Sequence, residues 1–432
     1  MHDWISTRLG DVARIEIGGT PSRNVPRFWA NPQSGYFWLS IADLTEKYVS
    51  RSAERITEAG VRNSNVKLIP AGTPVMSFKL TIGRCAIARD NLYSNEAIAA
   101  FHFDPSKVDA EWLYYELPRA ASRASTDTAI KGVTLNKAKL VELTARLPPL
   151  PEQRQIAAIL DTIDDAIRKT EQLIAKLNQV KQGLLHDLLT CGIDHNGELR
   201  DPQRHPEQFK DSPLGRIPRG WEVGGLMDVG ASDRQAILTR PFGAQLGSLD
   251  FVPEGVPVLR IGNVQWGHLD LAELLFVRPR KADALGRWRV RAGDLLFARQ
   301  GATTGRNALA TEDVDGAVIN YHIIRVAFDI AKCHPMFMCA LFNSPIVQEQ
   351  ADREKGRGTR EGVNTTTLTS FILPLPTKGE QDQLARVLET HDERVEMEKQ
   401  SRRKLGLLKQ GLMEDLLTGR VRVTKLLEDA AE

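Results

Sequence analysis

Basic side chains in glycine-rich or turn-forming segments are the residues of this chain with the clearest chemistry. Between Arg278 and Arg306, eight basic residues stand against two acidic ones, and Arg357 and Arg360 lie in a later glycine-rich stretch. Glycine-rich loops approach a phosphate backbone closely, and one arginine can bond two acceptors on a guanine edge. The pattern is typical of a local nucleic-acid-binding surface.

The first part of the chain carries similar side chains at matching points. Thr81-Ile82-Gly83-Arg84, for example, corresponds to Thr303-Thr304-Gly305-Arg306. Any one basic residue could equally be a solvated surface charge, and the functional interpretation depends on this repeated placement. The candidate nucleic-acid contacts are Arg23, Asn24, Arg27, Lys79, Thr81, Arg84, Lys131, Arg260, Asn263, Arg299, Gln300, Thr303, Arg306, Arg357 and Arg360.

Catalytic motifs are absent from the sequence. There is no Gly-x-x-x-x-Gly-Lys-Ser/Thr phosphate loop, no His-Glu-x-x-His zinc helix and no Gly-x-Ser-x-Gly nucleophile turn. The Asn-Pro-Pro-Tyr/Phe motif of adenine methyltransferases is missing too. The four cysteines form no Cys-x-x-Cys pair, which favours reduced thiols over a metal site. We therefore expect a binding chain with no catalytic residue, metal or cofactor of its own.

One segment of the chain occurs twice. Residues 152–190 recur as residues 380–418 without insertion or deletion, so that Lys181-Gln182-Gly183-Leu184 returns as Lys409-Gln410-Gly411-Leu412. In the first copy, apolar residues follow alternating steps of three and four, which is typical of a coiled-coil helix. These are Ile156, Leu160, Ile163, Ile167, Ile174, Leu177, Leu184 and Leu188.

Each copy follows a proline cluster and precedes a glycine, Gly192 or Gly419, which are ordinary signals for the start and the end of a helix. A helix of about 39 residues is about 58 Å long and needs a partner along its apolar stripe. The other copy is the obvious partner. We expect antiparallel packing, although the long segment after Thr190 also permits parallel packing, and the helices could instead be core elements of one large domain.

The regions before each copy share a weaker repeat. The match between them drifts by several residues along the chain, as expected for one scaffold with different loops. Short apolar runs predict strands at 74–78, 97–101 and 318–324, and helices are expected at 111–115 and 336–342. The predicted fold class is α+β, with two mixed α/β domains separated by two long helices. The helices pack as an antiparallel coiled coil with pseudo-two-fold symmetry.

Composition sets few limits. The 57 basic residues nearly balance the 55 acidic ones, so any nucleic-acid-binding surface must be local. No run of about 18 uncharged apolar residues suggests a membrane span, and the first residues lack a secretory pattern. We expect a cytoplasmic protein that does not bind membranes.

The whole chain resembles the specificity subunit of type I restriction–modification systems. The resemblance is carried by Gly19-Thr20-Pro21-Ser22-Arg23, by the stretch from Trp38 to Leu44, and by Thr81-Ile82-Gly83-Arg84. Strong marks are Leu147-Pro148-Pro149-Leu150-Pro151-Glu152-Gln153 and the stretch from Ser212 to Trp221. The second domain departs from the pattern at Leu259-Arg260-Ile261-Gly262-Asn263-Val264 and in the spacing of prolines before Glu380-Gln381.

The resemblance implies a division of the chain into five parts. These are target recognition domain 1 (1–146), a central conserved helical spacer (147–192), a linker (193–211), target recognition domain 2 (212–373) and a C-terminal conserved helical spacer (374–432). Each recognition domain would read one half of a split site on double-stranded DNA. The paired helices would set the gap between the halves.

The resemblance also implies partners. Two methyltransferase subunits would bind S-adenosylmethionine and methylate adenine, and restriction subunits would use ATP and Mg²⁺. The residues assigned to partner docking are Glu152, Gln153, Gln182, Glu380, Gln381 and Gln410. Two other classes of function stay open at this point. The chain could be a coiled-coil scaffold whose heads bind protein or RNA, or it could be a nuclease or methyltransferase in its own right.

Overall fold

The computed structural model describes residues 4–126, 135–239, 246–355 and 362–424. The candidate DNA contacts Lys131, Arg357 and Arg360 therefore lie outside the described residues. The chain forms two compact units. Unit 1 comprises Met1–Gln172 with Lys399–Glu432, and unit 2 comprises Leu173–Glu398.

In the described residues, the globular part of unit 1 contains four α-helices and ten strands. The helices are α1 (Leu9–Val12), α2 (Glu58–Arg62), α3 (Ala110–Thr126) and α4 (Lys137–Glu142). The strands are β1 (Ile5–Arg8), β2 (Ala13–Ile17), β3 (Tyr36–Leu39), β4 (Tyr48–Val49), β5 (Glu54–Ile56), β6 (Pro74–Ser77), β7 (Cys85–Ala88), β8 (Tyr93–Ser94), β9 (Ile98–Phe103) and β10 (Thr144–Leu147).

Three sheets organise these strands. The largest has the order β2-β9-β6-β7-β4, a second has the order β5-β3-β8, and β1 pairs with β10. All four residues of β6 are buried, which explains why Pro74, Val75 and Met76 follow one another without polar alternation. Met76, Phe101 and Trp112 share one core cluster, so α3 covers one face of the large sheet.

The first long helix, α5, spans Leu150–Thr190 and leads into unit 2. The helices of unit 2 are α6 (Pro279–Ala284), α7 (Pro335–Phe342), α8 (Pro345–Lys355) and α9 (Thr365–Thr369). Its strands are β11 (Phe209–Ser212), β12 (Gly215–Pro218), β13 (Glu222–Gly225), β14 (Ile237–Thr239), β15 (Phe251–Val252), β16 (Val256–Leu259), β17 (Leu275–Val277), β18 (Leu295–Ala298), β19 (Asn307–Leu309), β20 (Val318–Ile319), β21 (Ile323–Val326) and β22 (Ile372–Leu375).

Unit 2 repeats the plan of unit 1. The order β14-β21-β18-β19 matches β2-β9-β6-β7, and β17-β16-β20 matches β5-β3-β8. Even the strand directions agree, because β3 pairs with β8 in parallel and β16 pairs with β20 in parallel. The pair β13-β22 corresponds to β1-β10. The two domains are therefore two copies of one fold, as the drifting sequence repeat predicts.

The second long helix, α10, spans Lys378–Thr418, and each unit contains one half of α5 and one half of α10. In unit 1, Asp164 pairs with Lys409 at 2.6 Å and Glu171 with Arg402 at 2.8 Å. The residue number rises along one helix as it falls along the other, so the halves pack antiparallel. Lys181 pairs with Asp392 in unit 2.

Apolar side chains fix the helix halves in each unit. Ile156, Leu160 and Leu416 are buried in the core of unit 1, and Leu188 and Leu384 are buried in that of unit 2. Burial of each Leu or Ile stabilises the packed state by about 1.5–3 kcal/mol. The predicted antiparallel packing of the long helices is confirmed, and the prediction that they are merely elements of one large domain is wrong.

Both predicted helix ends are glycine caps. Gly192 has φ 61° and Gly419 has φ 73°, the left-handed conformation that glycine adopts at a helix C-terminus. The long helices begin two residues earlier than the duplicated segments do.

One predicted strand is wrong. The apolar run 318–324 does not form a single strand, because β20 ends at Ile319 and β21 begins at Ile323. His322 lies between them with φ 75°, a conformation that breaks an extended strand. The two short strands belong to different sheets of unit 2. In the described part of the chain, no helix is both long and apolar enough to cross a membrane.

Candidate nucleic-acid interface

Arg23 of domain 1 packs against two tryptophan rings. Its guanidinium lies 3.8 Å from the centroid of the Trp29 ring and 5.0 Å from that of Trp38. It also forms a bidentate pair with Glu54, in which Nη2 donates to Oε2 at 3.0 Å. The hydrogen bond to Glu54 raises the pKa of Arg23. The side chain is 53% exposed. Arg23 is thus a positioned, accessible cation.

The other two candidates beside Arg23 are less restrained. Asn24 and Arg27 are both exposed, and the Arg27 guanidinium lies 5.6 Å from the Phe28 ring centroid. The Trp38 indole donates a 2.8 Å hydrogen bond to the Gly19 carbonyl, which ties the segment that carries these residues to β3. The strand therefore supports a polar loop that is open to solvent.

Hairpin loop 1, residues 78–84, connects β6 to β7 and carries three candidates. Lys79 is half-buried, whereas Thr81 and Arg84 are exposed. Ser77 holds the loop closed, since its Oγ accepts from the Arg84 backbone N–H at 3.0 Å and donates to the Thr81 carbonyl.

Leu80 stands at the tip of hairpin loop 1. Its φ is 60° and its side chain is 96% exposed. An exposed leucine in a left-handed conformation is uncommon, and such strain concentrates at functional sites. Sequence reasoning missed Leu80, because only the turn geometry reveals its exposure. An apolar side chain at this position is suited to contact a base or a thymine methyl group.

Hairpin loop 2, residues 299–306, connects β18 to β19 at the equivalent place in domain 2. Gln300 is exposed at its start. Thr303 bonds the Gln300 carbonyl at 3.2 Å, and Arg306 donates to the Gln265 side chain at 2.7 Å. Arg299 donates from Nε to the Val363 carbonyl at 3.2 Å. The structure therefore brings these four candidates together on one loop.

Two further candidates of domain 2, Asn263 and Arg260, lie on the turn after β16. Asn263 is only 4% exposed. Its Oδ1 accepts from the Arg260 backbone N–H and its Nδ2 donates to the Asp270 carbonyl, both at 2.8 Å. Asn263 is a structural residue that closes the turn. Arg260 is half-buried, and its Nη2 donates to the Glu273 carbonyl at 2.9 Å.

An arginine-lined cavity of about 450 Å³ in domain 2 was not assigned from the sequence. Arg325 forms its base, where it is 3% exposed and donates to the Gln235 carbonyl at 2.6 Å. Burial lowers the pKa of Arg325. The available signal was the alternation Arg287-Trp288-Arg289-Val290-Arg291, in which every second side chain is basic. The cavity adds to the local positive charge of domain 2.

The side chain of Gln153, which was assigned to partner docking, forms hydrogen bonds to backbone groups inside unit 1. The side chain is fully buried. Its Oε1 accepts from the Asp109 backbone N–H at 2.8 Å, and its Nε2 donates to the Lys107 and Pro148 carbonyls at 2.9 Å each. The amide thereby joins the start of α5 to the turn before α3.

Gln381 makes the equivalent hydrogen bonds in unit 2. Its Oε1 accepts from the His334 backbone N–H at 3.0 Å, and its Nε2 donates to the Pro376 carbonyl at 2.9 Å and approaches the Lys332 carbonyl at 3.5 Å. The same geometry at both sites explains why the pair Glu-Gln is duplicated: each domain needs it to join its long helix.

The neighbouring glutamates are also used internally. Glu152 accepts from Arg422 at 2.5 and 2.9 Å, and Glu380 accepts from Arg200 at 2.5 and 3.2 Å. Only 4% of the Glu152 side chain and 11% of the Glu380 side chain are exposed. All four side chains therefore make contacts within their own units, and the assignment of Glu152, Gln153, Glu380 and Gln381 to partner docking stays a prediction. Gln182 and Gln410 are exposed, and their assignment stays a prediction.

Among the described residues, no group of three or more His, Cys, Asp or Glu side chains could hold a metal ion. The four cysteines are free thiols, and burial raises the pKa of Cys333 and of Cys339 to about 12. These two thiols are packing residues rather than nucleophiles.

Comparison with known proteins assigns the family. The model of the type I restriction modification DNA specificity domain matches twice, at residues 1–179 and 218–406. The MjaVIII specificity subunit of Methanocaldococcus jannaschii is 25% identical over 98% of this chain and 94% of its own length. The EcoBI specificity subunit of Escherichia coli is 23% identical over 68% of this chain and 61% of its own length.

Solved structures agree on the fold. The S subunit of the type I restriction–modification system from M. genitalium has a TM-score of 0.54 at 13% identity, with 96% of each chain covered. A chain from a study of complex assembly and conformational transition of the type I R-M system has a TM-score of 0.60 at 16% identity. That alignment covers 96% of this chain and 98% of the other. This chain therefore belongs to the family of type I restriction–modification DNA specificity subunits.

Proposed function

We propose that each recognition domain reads one half of a bipartite DNA site, with hairpin loops 1 and 2 as equivalent reading elements. The observation that supports this most directly is their identical place in two copies of one fold, between β6 and β7 and between β18 and β19. Both loops carry polar and basic side chains, including Arg84 and Arg306. Arginine at such a position can bond a base edge or a phosphate.

The long helices set the unread gap between the two half-sites in this proposal. Each helix is continuous over 41 residues and contributes to both units. A change in their length should change the gap and leave the bases that each domain reads unchanged. The assembly also contains methyltransferase subunits and restriction subunits, and this chain supplies recognition without catalysis.

Cofactors belong to the partners in this proposal. Two methyltransferase subunits bind S-adenosylmethionine and methylate an adenine in each half-site, and restriction subunits use ATP and Mg²⁺. An adenine inside a duplex must leave the base stack before it can be methylated. Contacts from the specificity subunit to both strands hold the DNA while this distortion occurs.

Partners dock, we infer, on exposed apolar residues of the long helices. Val180 in unit 2 and Leu408 in unit 1 occupy the same position of the duplicated segment, and they are 46% and 49% exposed. Leu173 lies seven residues before Val180, on the same helix face, and is 37% exposed. Solvent-facing apolar residues at a repeated position are suited to two equal docking sites. The duplicated Glu-Gln pairs are largely buried, so the exposed apolar positions are the better candidates.

The reading role is tested with matched loop variants. Arg84→Ala should weaken discrimination at one half-site and Arg306→Ala at the other, each by about 5- to 150-fold, which corresponds to one lost base contact. The assay is competition binding of the complex with methyltransferase to DNA duplexes altered in one half-site at a time. Arg204→Ala is the control, because Arg204 is 83% exposed and lies in the linker.

The outcome is decisive in either direction. Loss of discrimination at the same half-site for both variants would contradict the assignment of one half-site to each domain. Equal, salt-dependent weakening for all DNA sequences would make both arginines phosphate contacts rather than base contacts. The alternative of a scaffold that binds protein or RNA has no support from the family, whose domain is a DNA specificity domain.

A further inference from the structure

A tyrosine fills the angle between domain 1 and the long helices. Tyr115 of α3 is 2% exposed, and its hydroxyl lies 2.6 Å from Asp161 Oδ1 and 2.7 Å from Asp164 Oδ2. The ammonium groups of Lys47 and Lys409 lie 4.9 Å and 5.5 Å from the centroid of its ring. The phenol is therefore held by two carboxylates and two cations, all within unit 1.

The equivalent residues of unit 2 follow from two matched contacts. Asp109 and His334 donate to the equivalent Gln153 and Gln381, which aligns α3 with α7. Six residues farther along each chain segment, the position of Tyr115 is occupied by Ala340.

The loop that carries Lys47 has a counterpart as well. Asp43 and Asn263 each accept from the backbone N–H at the start of a short turn, at 2.7 and 2.8 Å. Four residues farther on, Lys47 corresponds to Gly267. Unit 2 thus lacks both side chains that fill this place in unit 1, although it keeps the ion pair Lys181–Asp392, the counterpart of Lys409–Asp164.

A groove of about 650 Å³ lies at this place in unit 2. Gly267 and Ala340 line it, with Leu185 and Leu388 from the two long helices, and Trp266, which is 50% exposed, stands among its lining residues. A cavity of roughly 150 Å³ is enough to hold a benzene ring. The groove therefore has room for an aromatic side chain and its flanking residues.

The charge of the groove favours a basic ligand. Its lining includes Glu349, Asp352 and Asp392 against the cation Lys181, and Arg353 pairs with Glu349 at 3.4 Å, so acidic groups still outnumber basic ones. In unit 1 the same place receives a phenol and an ammonium group from the chain itself. A ligand with a phenol and an ammonium group could make the contacts in the groove that Tyr115 and Lys47 make in unit 1.

We propose that this groove binds a segment of a partner protein that carries a tyrosine next to a basic residue. The tyrosine ring occupies the space above Ala340, and its hydroxyl donates to Asp392 as Tyr115 donates to Asp164. The basic side chain takes the place of Lys47, next to the acidic residues that line the groove. Unit 1 closes this site with its own residues, so the chain offers one such site, in unit 2.

The site is tested on the full chain by calorimetric titration with two small probes and two peptides. Tyramine carries both the phenol and the ammonium group, whereas phenethylamine lacks only the hydroxyl. The peptides are Gly-Lys-Tyr-Lys-Gly and Gly-Lys-Phe-Lys-Gly. We expect tyramine to bind at least fivefold more tightly than phenethylamine, and the tyrosine peptide more tightly than tyramine. Failure of tyramine and of the tyrosine peptide to bind would overturn the proposal.

Variants locate the binding. Ala340→Tyr places in unit 2 the ring that unit 1 already has, and it should weaken tyramine binding at least tenfold. Asp392→Asn preserves the shape of the groove, so it serves if Ala340→Tyr does not fold. It should weaken tyramine at least fivefold and leave phenethylamine within twofold. Unchanged tyramine binding in both variants would contradict the proposed location.

The complementary variant is in unit 1. The double variant Tyr115→Ala with Lys47→Gly empties the equivalent space, which should create a second tyramine site and raise the binding stoichiometry from one to two. A stoichiometry that stays at one would contradict the equivalence of the two places. Tighter binding of tyramine than of the tyrosine peptide would identify a small-molecule site and overturn the assignment to a partner protein.

Discussion

Substitution of Gln153 tests whether the duplicated Glu-Gln pair has the structural role of joining each domain to its long helix. The amide makes three hydrogen bonds to backbone groups at 2.8 to 2.9 Å, and its side chain is fully buried. Gln153→Ala leaves one N–H and two carbonyls without this partner. Each buried backbone group left without a hydrogen bond costs about 1–3 kcal/mol, and partial relaxation reduces the sum. We expect unit 1 to lose about 3 kcal/mol of stability.

A second variant separates charge from shape. Gln153→Glu keeps the side-chain length but replaces the donating NH₂ with an oxygen that faces the carbonyls of Lys107 and Pro148. It should destabilise unit 1 at least as much as Gln153→Ala. Gln172→Ala is the matched control, because Gln172 is exposed on α5 in the same unit and has no assigned role. Exposed substitutions of this kind usually change stability by less than about 0.5 kcal/mol.

Hydrogen exchange read by mass spectrometry is the suitable assay, since a chain with two units need not unfold in one step. Exchange should accelerate in α3 and at the start of α5 and leave the globular part of unit 2 unchanged. Gln381→Ala should produce the mirror result in unit 2, around α7. A loss below about 1 kcal/mol, or reduced methyltransferase binding without any change in exchange, would refute the structural role and restore docking.

Three further outcomes follow from the contacts. Gly192→Ala should lower the stability of unit 2 by about 2 kcal/mol or more, because a Cβ would lie 2.6 Å from Trp221 at a φ of 61°, whereas Gly197→Ala, with φ 81° and open space, should cost about 1–2 kcal/mol in chemical denaturation. Burial lowers the pKa of His102 below its ordinary value of about 6.5. On acidification, the imidazole therefore binds a proton at a higher pH in the unfolded chain than in the folded chain. Stability of unit 1 should then fall as the pH drops below about 6.5, and His102→Asn should flatten the pH dependence of the melting temperature; an identical profile for both proteins would contradict this. Leu408→Asp should weaken methyltransferase binding at least tenfold in calorimetry, while Leu199→Asp, at a similar exposure of 46%, should not, and equal effects would place docking elsewhere.

The long helices were predictable from the sequence because their pattern is periodic. Ile156, Leu160 and Leu188 repeat at coiled-coil spacing and are all buried, and the glycines that end the helices adopt the expected left-handed conformation. The break in the run 318–324 coincides with the polar residues Asn320 and His322, but the sequence alone does not distinguish a turn between two sheets from alternation within one strand.

The functions of single polar residues were harder to predict. Gln153 and Asn263 look like surface contacts in the sequence, but a buried amide that bonds the backbone has the same residue type as an exposed one. Duplication of Glu152-Gln153 indicated that the pair matters to the protein. It did not show the reason, which is that the pair connects each domain to its long helix. Leu80 attracted no attention because exposure at a hairpin tip is a property of the folded turn.

The central claim is that each recognition domain reads its own half of the DNA site. The most direct measurement is to replace residues 1–146 with the equivalent domain of another family member and to map methylated adenines across the host genome. The account predicts that one half of the methylated sequence changes while the other half and the gap between them stay the same. A change in both halves, or in neither, would contradict it.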